Sequence, residues 1–213
     1  MSLRRLIPAV VLLLLPVTAA PAQTAPEPQA PRFPVEVRLG LRAGAFEMVG
    51  SADSFDAVFG DPLPLGGADL EVRFATRWML RASAEYGEID GEQVLFTNPP
   101  TSTGEEVSLT YLPIHLSAGY LARPGRPWRL TLGAGVTLLS WETTSQLSSS
   151  SGTDPGGHAF LALERVGERI GVGAELLYSS IPDAAGDAGA TQFYGEDDLG
   201  GLALGLTVRW RVR

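Results

Sequence analysis

Two histidines, His115 and His158, and the absence of cysteine narrow the chemistry this chain can build. Nucleophilic catalysis needs a nucleophile, a base and an orienting carboxylate within reach of one another. His115 lies midway along "YLPIHLSAGY" and is expected to point inward and take a hydrogen bond. His158 follows the Gly/Ser-rich "SSSSGTDPGG" and is expected to be solvated. No HExxH, CxxC, GxSxG or phosphate-loop pattern occurs. Catalytic residues, a metal centre and a cofactor are therefore not expected, and neither is enzymatic activity.

The stronger chemical pattern is ionic. All sixteen basic residues are arginine, whose planar fork grips both oxygens of a carboxylate. Arginines and carboxylates recur at every second position of alternating segments: Glu36, Arg38 and Arg42; Asp69, Glu71 and Arg73; Arg81 and Glu85; then Arg129, Glu175, Arg209 and Arg211. Side chains of an extended strand alternate between two faces, so these charges share one face. The other face is oily throughout, as in "LALGLTVRWRVR", where Leu202, Leu204, Leu206, Val208, Trp210 and Val212 align. We expect Glu36, Arg38, Arg42, Glu71, Arg73, Arg81, Glu85, Arg129, Glu175, Arg209 and Arg211 to interleave as one inward-facing ionic network.

The elements that carry these residues are strands. From Val35 onward apolar residues alternate with small or charged ones, without helical periodicity, over 35–46, 66–75, 78–88, 106–122, 128–141, 157–165, 169–181 and 199–212. The connections alternate between long (47–65, 89–105, 142–156, 182–198) and short (76–77, 123–127, 166–168). A sheet that puts every long loop at one end reads as an eight-stranded antiparallel up-and-down transmembrane β-barrel, oily face to lipid and charged face to the lumen. Phe74, Trp78, Tyr120, Trp128 and Trp210 fall on the oily face at short-turn ends, and Tyr86 and Tyr178 on the same face near the long loops. Tyr and Trp favour the membrane–water interface, so these seven are the expected girdles. Strand glycines, including Gly40, Gly44, Gly133, Gly171 and Gly205, are expected on the charged face only, where they make room for arginine. Pro113 cannot donate to a ladder and suggests a bulge that would turn Val107 and Leu109 outward.

Upstream, residues 1–22 read as a signal peptide: Arg4 and Arg5, the apolar "LIPAVVLLLLPV", and a small-x-small site at Ala20–Ala22. Residues 23–34 read as a flexible lead-in, and 35–213 as the barrel. With no cysteine, neither a lipoprotein anchor nor a disulfide framework is expected.

The chain resembles the small outer-membrane β-barrel proteins of Gram-negative bacteria, the OmpA transmembrane domain, OmpX and OmpW among them. The resemblance rests on "YLPIHLSAGYLA" at 111–122, "WRLTLGAGV" at 128–136 and the closing "LGLTVRWRV". It implies an integral outer-membrane protein, monomeric, with both termini periplasmic, in contact with membrane lipid, lipopolysaccharide and the outer-membrane assembly machinery. Members of that group end on an aromatic residue, whereas here Trp210 stands three positions before Arg213. The long loops are acidic, carrying among others Glu47, Asp53, Asp61, Asp90, Glu92, Glu142, Glu196 and Asp198 and no arginine. Such a rim could gather divalent cations, and the chain's formal net charge of −8 gives no support to nucleic-acid binding. Two functions fit: a structural or interaction barrel with an ion-paired lumen, or a small OmpW-like channel for small or hydrophobic solutes.

Overall fold

The computed structural model describes residues 35–74, 76–95, 101–122, 127–146, 149–184 and 194–212; the signal-peptide and lead-in readings of residues 1–34 lie outside them. Eight antiparallel strands close into a barrel in sequence order. They are β1 (Glu36–Met48), β2 (Leu63–Phe74), β3 (Trp78–Leu95), β4 (Thr101–Leu121), β5 (Trp128–Ser145), β6 (Ser149–Val166), β7 (Ile170–Ser180) and β8 (Gly201–Val212). One short helix, α1 (Ala52–Val58), lies between β1 and β2.

Following ladder partners from Glu36 through Arg73, Met79, Gly119, Gly133, Phe160, Leu177 and Ala203 returns to β1 at Phe46, ten residues on. A stagger of ten over eight strands, at ~3.3 Å rise and ~4.8 Å spacing, tilts the strands by about 40°. A barrel this narrow has room only for interdigitating side chains. Glycine supplies part of that room. A Cβ on Gly40 would stand 2.6 Å from the Asp69 carboxylate, and one on Gly171 would strike the Glu164 carboxylate. The restriction of glycine to the inner face does not hold, however. Gly66 and Gly157 lie within β2 and β6 and point outward, because both strands run further than the alternation suggested.

The oily face is outside. Leu39, Leu41, Leu80, Leu116, Leu132, Val136 and Val172 are all exposed, while Arg38, Arg209, Glu71 and Glu175 are buried. Phe74, Trp78, Tyr86, Trp128, Tyr178 and Trp210 are exposed on that outer face, and Tyr120 is half-buried on it. Trp78 packs edge-on against Tyr120, with ring centroids 5.4 Å apart. Along β3 the outward series runs Trp78, Leu80, Ala82, Ala84, Tyr86 and then turns polar with Glu88, Asp90 and Glu92. On β5 it runs from Trp128 to Leu138 before Ser140 and Glu142. Eight residues at the barrel's tilt, as from Trp78 to Tyr86, span about 20 Å, close to the ~25 Å apolar band of membrane barrels.

Three expectations about the connections change. Residues 89–105 and 142–156 are mostly strand rather than loop: β3–β4 and β5–β6 continue as hairpins beyond the apolar band. Most of their outward residues are Ser, Thr, Asp and Glu, a composition that reads as loop although a hairpin ladder satisfies its own backbone in water. Pro113 causes no bulge, and the β4–β5 register is unbroken from Val107 to Leu121, leaving Val107, Leu109 and Tyr111 buried inward. The register shift in this sheet comes instead between Glu92 and Val94. Finally, residues 52–58 are helical; seven residues are too few to print a helical period.

Candidate functional site

The chemistry of the molecule is concentrated in the lumen, which three layers fill. Nearest the short turns, the Glu164 carboxylate receives Arg38 at 2.5 Å and Arg73 at 2.8 Å. Arg38 also pairs with Glu36 at 2.6 Å, Arg73 with Glu71, and Arg211 with Glu36 at 3.2 Å at the rim. One level up, Glu175 accepts from Arg42 at 2.7 Å and from both terminal nitrogens of Arg81, one of them at 2.9 Å. Arg42 reaches Glu85 at 3.1 Å, and the Arg209 Nε donates to both Asp69 oxygens at 2.9 and 3.2 Å. Arg209 joins the two levels, 3.8 Å from Glu71 and 3.6 Å from Glu175. The Arg81 guanidinium also lies 4.0 Å over the Phe160 ring, a cation–π contact.

Charge nearly cancels here. Arg38, Arg42, Arg73, Arg81, Arg129, Arg209 and Arg211 face Glu36, Asp69, Glu71, Glu85, Glu164 and Glu175. Arg129 departs from expectation: it has no ion pair among the described residues, and its Nε is buried without a hydrogen-bond partner. Asp69 and Glu164 were not expected in the network. Asp69 was legible as inward-facing. Glu164 was hidden by "AFLALER", which is apolar on both faces, so that alternation does not say whether Glu164 or Arg165 points in.

Above the ion pairs sits a relay of hydroxyls and imidazoles. His158 is buried, contrary to expectation, because β6 begins well before it and its side chain falls on the inner face. Ser117 Oγ lies 2.8 Å from His158 Nε2, and Thr137 Oγ1 lies 2.9 Å from Nδ1 of both His158 and His115. His115 Nε2 faces the Glu85 carboxylate at 3.8 Å, and the two rings pack edge-on with centroids 4.8 Å apart. Thr137 has one proton to give, and a carboxylate favours an N–H toward it. His115 should therefore carry its proton on Nε2 and take the Thr137 proton at Nδ1. Thr137 must then accept from His158 Nδ1–H, and Ser117 must donate to His158 Nε2. Long-range ¹H–¹⁵N spectra of the purified barrel should show one histidine of each tautomer, and two identical tautomers would refute this donor order.

The third layer is apolar. Phe46, Met48, Leu63, Leu65, Leu109, Tyr111, Leu139 and Ile181 form a buried cluster at the long-loop end, with Phe55 of α1 in it. Phe46 stacks on Tyr111 at 5.0 Å. The cavity bordered by Glu85, His115 and Ser179 beneath this cap measures about 10 Å³, scarcely room for one water. The two loops above hold one another. Glu196 takes the N-terminal donors of α1, Asp53 N at 3.1 Å, Ser54 N at 2.9 Å and Ser54 Oγ at 2.5 Å. Asp198 accepts from Ile181 N and Gly200 N at 2.6 Å each and from Ser180 Oγ at 2.7 Å. These two loop acids thus bind backbone and hydroxyl groups, and among the described residues no cluster of three or more metal-ligating side chains is present.

No family model matches the chain, and no curated relative matches it. Solved structures do. The Neisserial surface protein A is similar with a TM-score of 0.51 at 14% identity, covering 83% of this chain and 96% of its own. The outer membrane protein OprG from Pseudomonas aeruginosa is similar with a TM-score of 0.54 at 13% identity, covering 84% of this chain and 95% of its own. The chain therefore has the closed eight-stranded fold of the small outer-membrane β-barrel proteins.

Proposed function

We propose that the protein is an integral outer-membrane barrel with a structural or interaction role, its lumen closed and its acidic long-loop end presented to the exterior. One observation carries this reading: buried ionic, imidazole–hydroxyl and apolar layers of the described residues succeed one another along the lumen, and the cavity bordered by Glu85, His115 and Ser179 beneath the cap measures only about 10 Å³. The likeness of fold to outer-membrane proteins and the exposed apolar band support the membrane setting. Both termini then lie on the periplasmic side, with membrane lipid and lipopolysaccharide around the wall and the assembly machinery as the route of insertion. An OmpW-like channel would need a continuous gap through these layers.

Two measurements test the reading. Purified protein in planar bilayers should show no steady single-channel conductance, and a stable open level would replace the closed barrel with the channel. An epitope inserted at Gly60, in the loop between β1 and β2, should be labelled on intact cells, whereas one at Gly167, in the β6–β7 turn, should not. The reverse pattern would invert the orientation.

A further inference from the structure

Three arginines of the described residues lie outside the lumen: Arg77, Arg165 and Arg169. All three are exposed and stand at the short-turn end, and none has a carboxylate partner among the described residues. Each stands beside a tryptophan of the outer face. Arg77 precedes Trp78. Arg165 is the ladder partner of Trp128, both pointing outward. Arg169 precedes Ile170, the ladder partner of Trp210, and its carbonyl accepts the Arg211 backbone N–H at 2.9 Å. Arg77 is further oriented by its Nη1 donating to the Tyr120 hydroxyl at 2.6 Å, with its guanidinium 6.0 Å from that ring.

These arginines sit where the apolar band stops. The next outward residues along the strands are Trp78, Leu163 and Ile170, all exposed, with Leu80 and Val172 following the first and last of them. An arginine in that position lays its aliphatic stem on the hydrocarbon edge and lifts its guanidinium to the headgroup level. At the opposite end of the band the outward residues are acidic, Glu88, Asp90, Glu92, Glu106 and Glu142, and no described arginine accompanies them. The outer wall therefore carries opposite charge at its two edges. One exposed carboxylate, Glu168, interrupts the basic edge.

We propose that this arginine–tryptophan collar binds the phosphate headgroups of anionic phospholipids in the leaflet at the short-turn end. The chemistry is bidentate guanidinium–phosphate pairing beside an interfacial indole. The acidic opposite edge offers no described guanidinium for direct phosphate pairing, so the preference is confined to one leaflet. A basic side chain near an anionic membrane surface strengthens association about five-fold. The inference rests on the membrane-barrel reading.

The collar supplies its own probe, since three of the four tryptophans, Trp78, Trp128 and Trp210, lie in it and Trp141 points into the barrel. Full-length protein reconstituted in phosphatidylcholine vesicles should be quenched by brominated phosphatidylglycerol at several-fold lower mole fraction than by brominated phosphatidylcholine. The preference should fall to near parity in Arg77→Gln/Arg165→Gln/Arg169→Gln and survive in the matching lysine variant. Should the triple variant fail to fold, Arg165→Gln alone should remove part of the preference. Equal quenching of the wild-type protein by both lipids overturns the collar while leaving the barrel intact. No quenching by either lipid overturns the membrane reading, and the collar with it.

Discussion

Replacing Glu175 by alanine is expected to lower the unfolding temperature of the detergent-solubilised barrel by roughly 6–20 °C. Glu175 is buried and answers three arginines, Arg42 at 2.7 Å, both terminal nitrogens of Arg81, and Arg209 at 3.6 Å. Its loss leaves seven lumenal arginines facing five carboxylates, and Arg42, Arg81 and Arg209 are too deeply buried to shed the excess into solvent. Removing one partner of a buried pair costs about 3–5 kcal/mol, and each kcal/mol moves the melting point of a domain this size by about 2–4 °C. Glu71→Ala, which leaves Arg73 with Glu164 alone and weakens the hold on Arg209, should act in the same direction. Asp61→Ala, on an exposed loop position, should shift the transition by less than ~2 °C. Thermal unfolding followed by circular dichroism separates these outcomes. Equal, small effects from all three substitutions would mean that the lumenal charges are hydrated, and a water-filled pore would follow.

The second expectation concerns the apolar cap. Phe46 is 2% exposed, stacked on Tyr111 and packed within the cluster that includes Leu63 and Leu139. Phe46→Ala removes that stack and should destabilise the barrel by about 3–5 kcal/mol. It should not open the lumen by itself, since the ion pairs and the Ser117–His158–Thr137–His115 relay still fill the section below. Conductance should appear only when both layers are breached, as in Phe46→Ala/Glu175→Gln. The glutamine keeps the shape of Glu175 but withdraws the charge that holds Arg42 and Arg81. Planar-bilayer recordings of the three proteins decide the matter. A single Phe46→Ala variant that conducts as well as the double variant would place the whole closure in the cap.

Alternation along each segment, a property of nearest neighbours, was enough to show eight strands, their common charged face and the aromatic positions on the other. Arg38, Arg42, Glu71, Arg73, Arg81, Glu85, Glu175 and Arg209 could be assigned to the lumen because a strand points every second side chain the same way. That rule says nothing about depth. Which charges meet is set by the ten-residue stagger around the ring, and stagger belongs to the closed sheet rather than to any strand in it. It brings Glu164 between Arg38, 126 residues away, and Arg73, 91 residues away. It leaves Arg129 at the mouth without an ion pair among the described residues.

The same division explains the rest. His158 read as solvated because its sequence neighbours are Gly and Ser, yet the ladder with β5 and β7 carries it inward to Thr137 and Ser117. The polar stretches at 89–105 and 142–156 read as loops because their composition suits water, and only pairing between consecutive strands makes them hairpins. Helix α1 is too short to declare itself, and its first turn is satisfied by Glu196, more than 140 residues along the chain. Composition and period therefore settled which solvent each face meets, since burial free energy is read residue by residue. Partners, depth and closure of the lumen waited on the tertiary structure, because each is a distance between residues that the chain itself holds far apart.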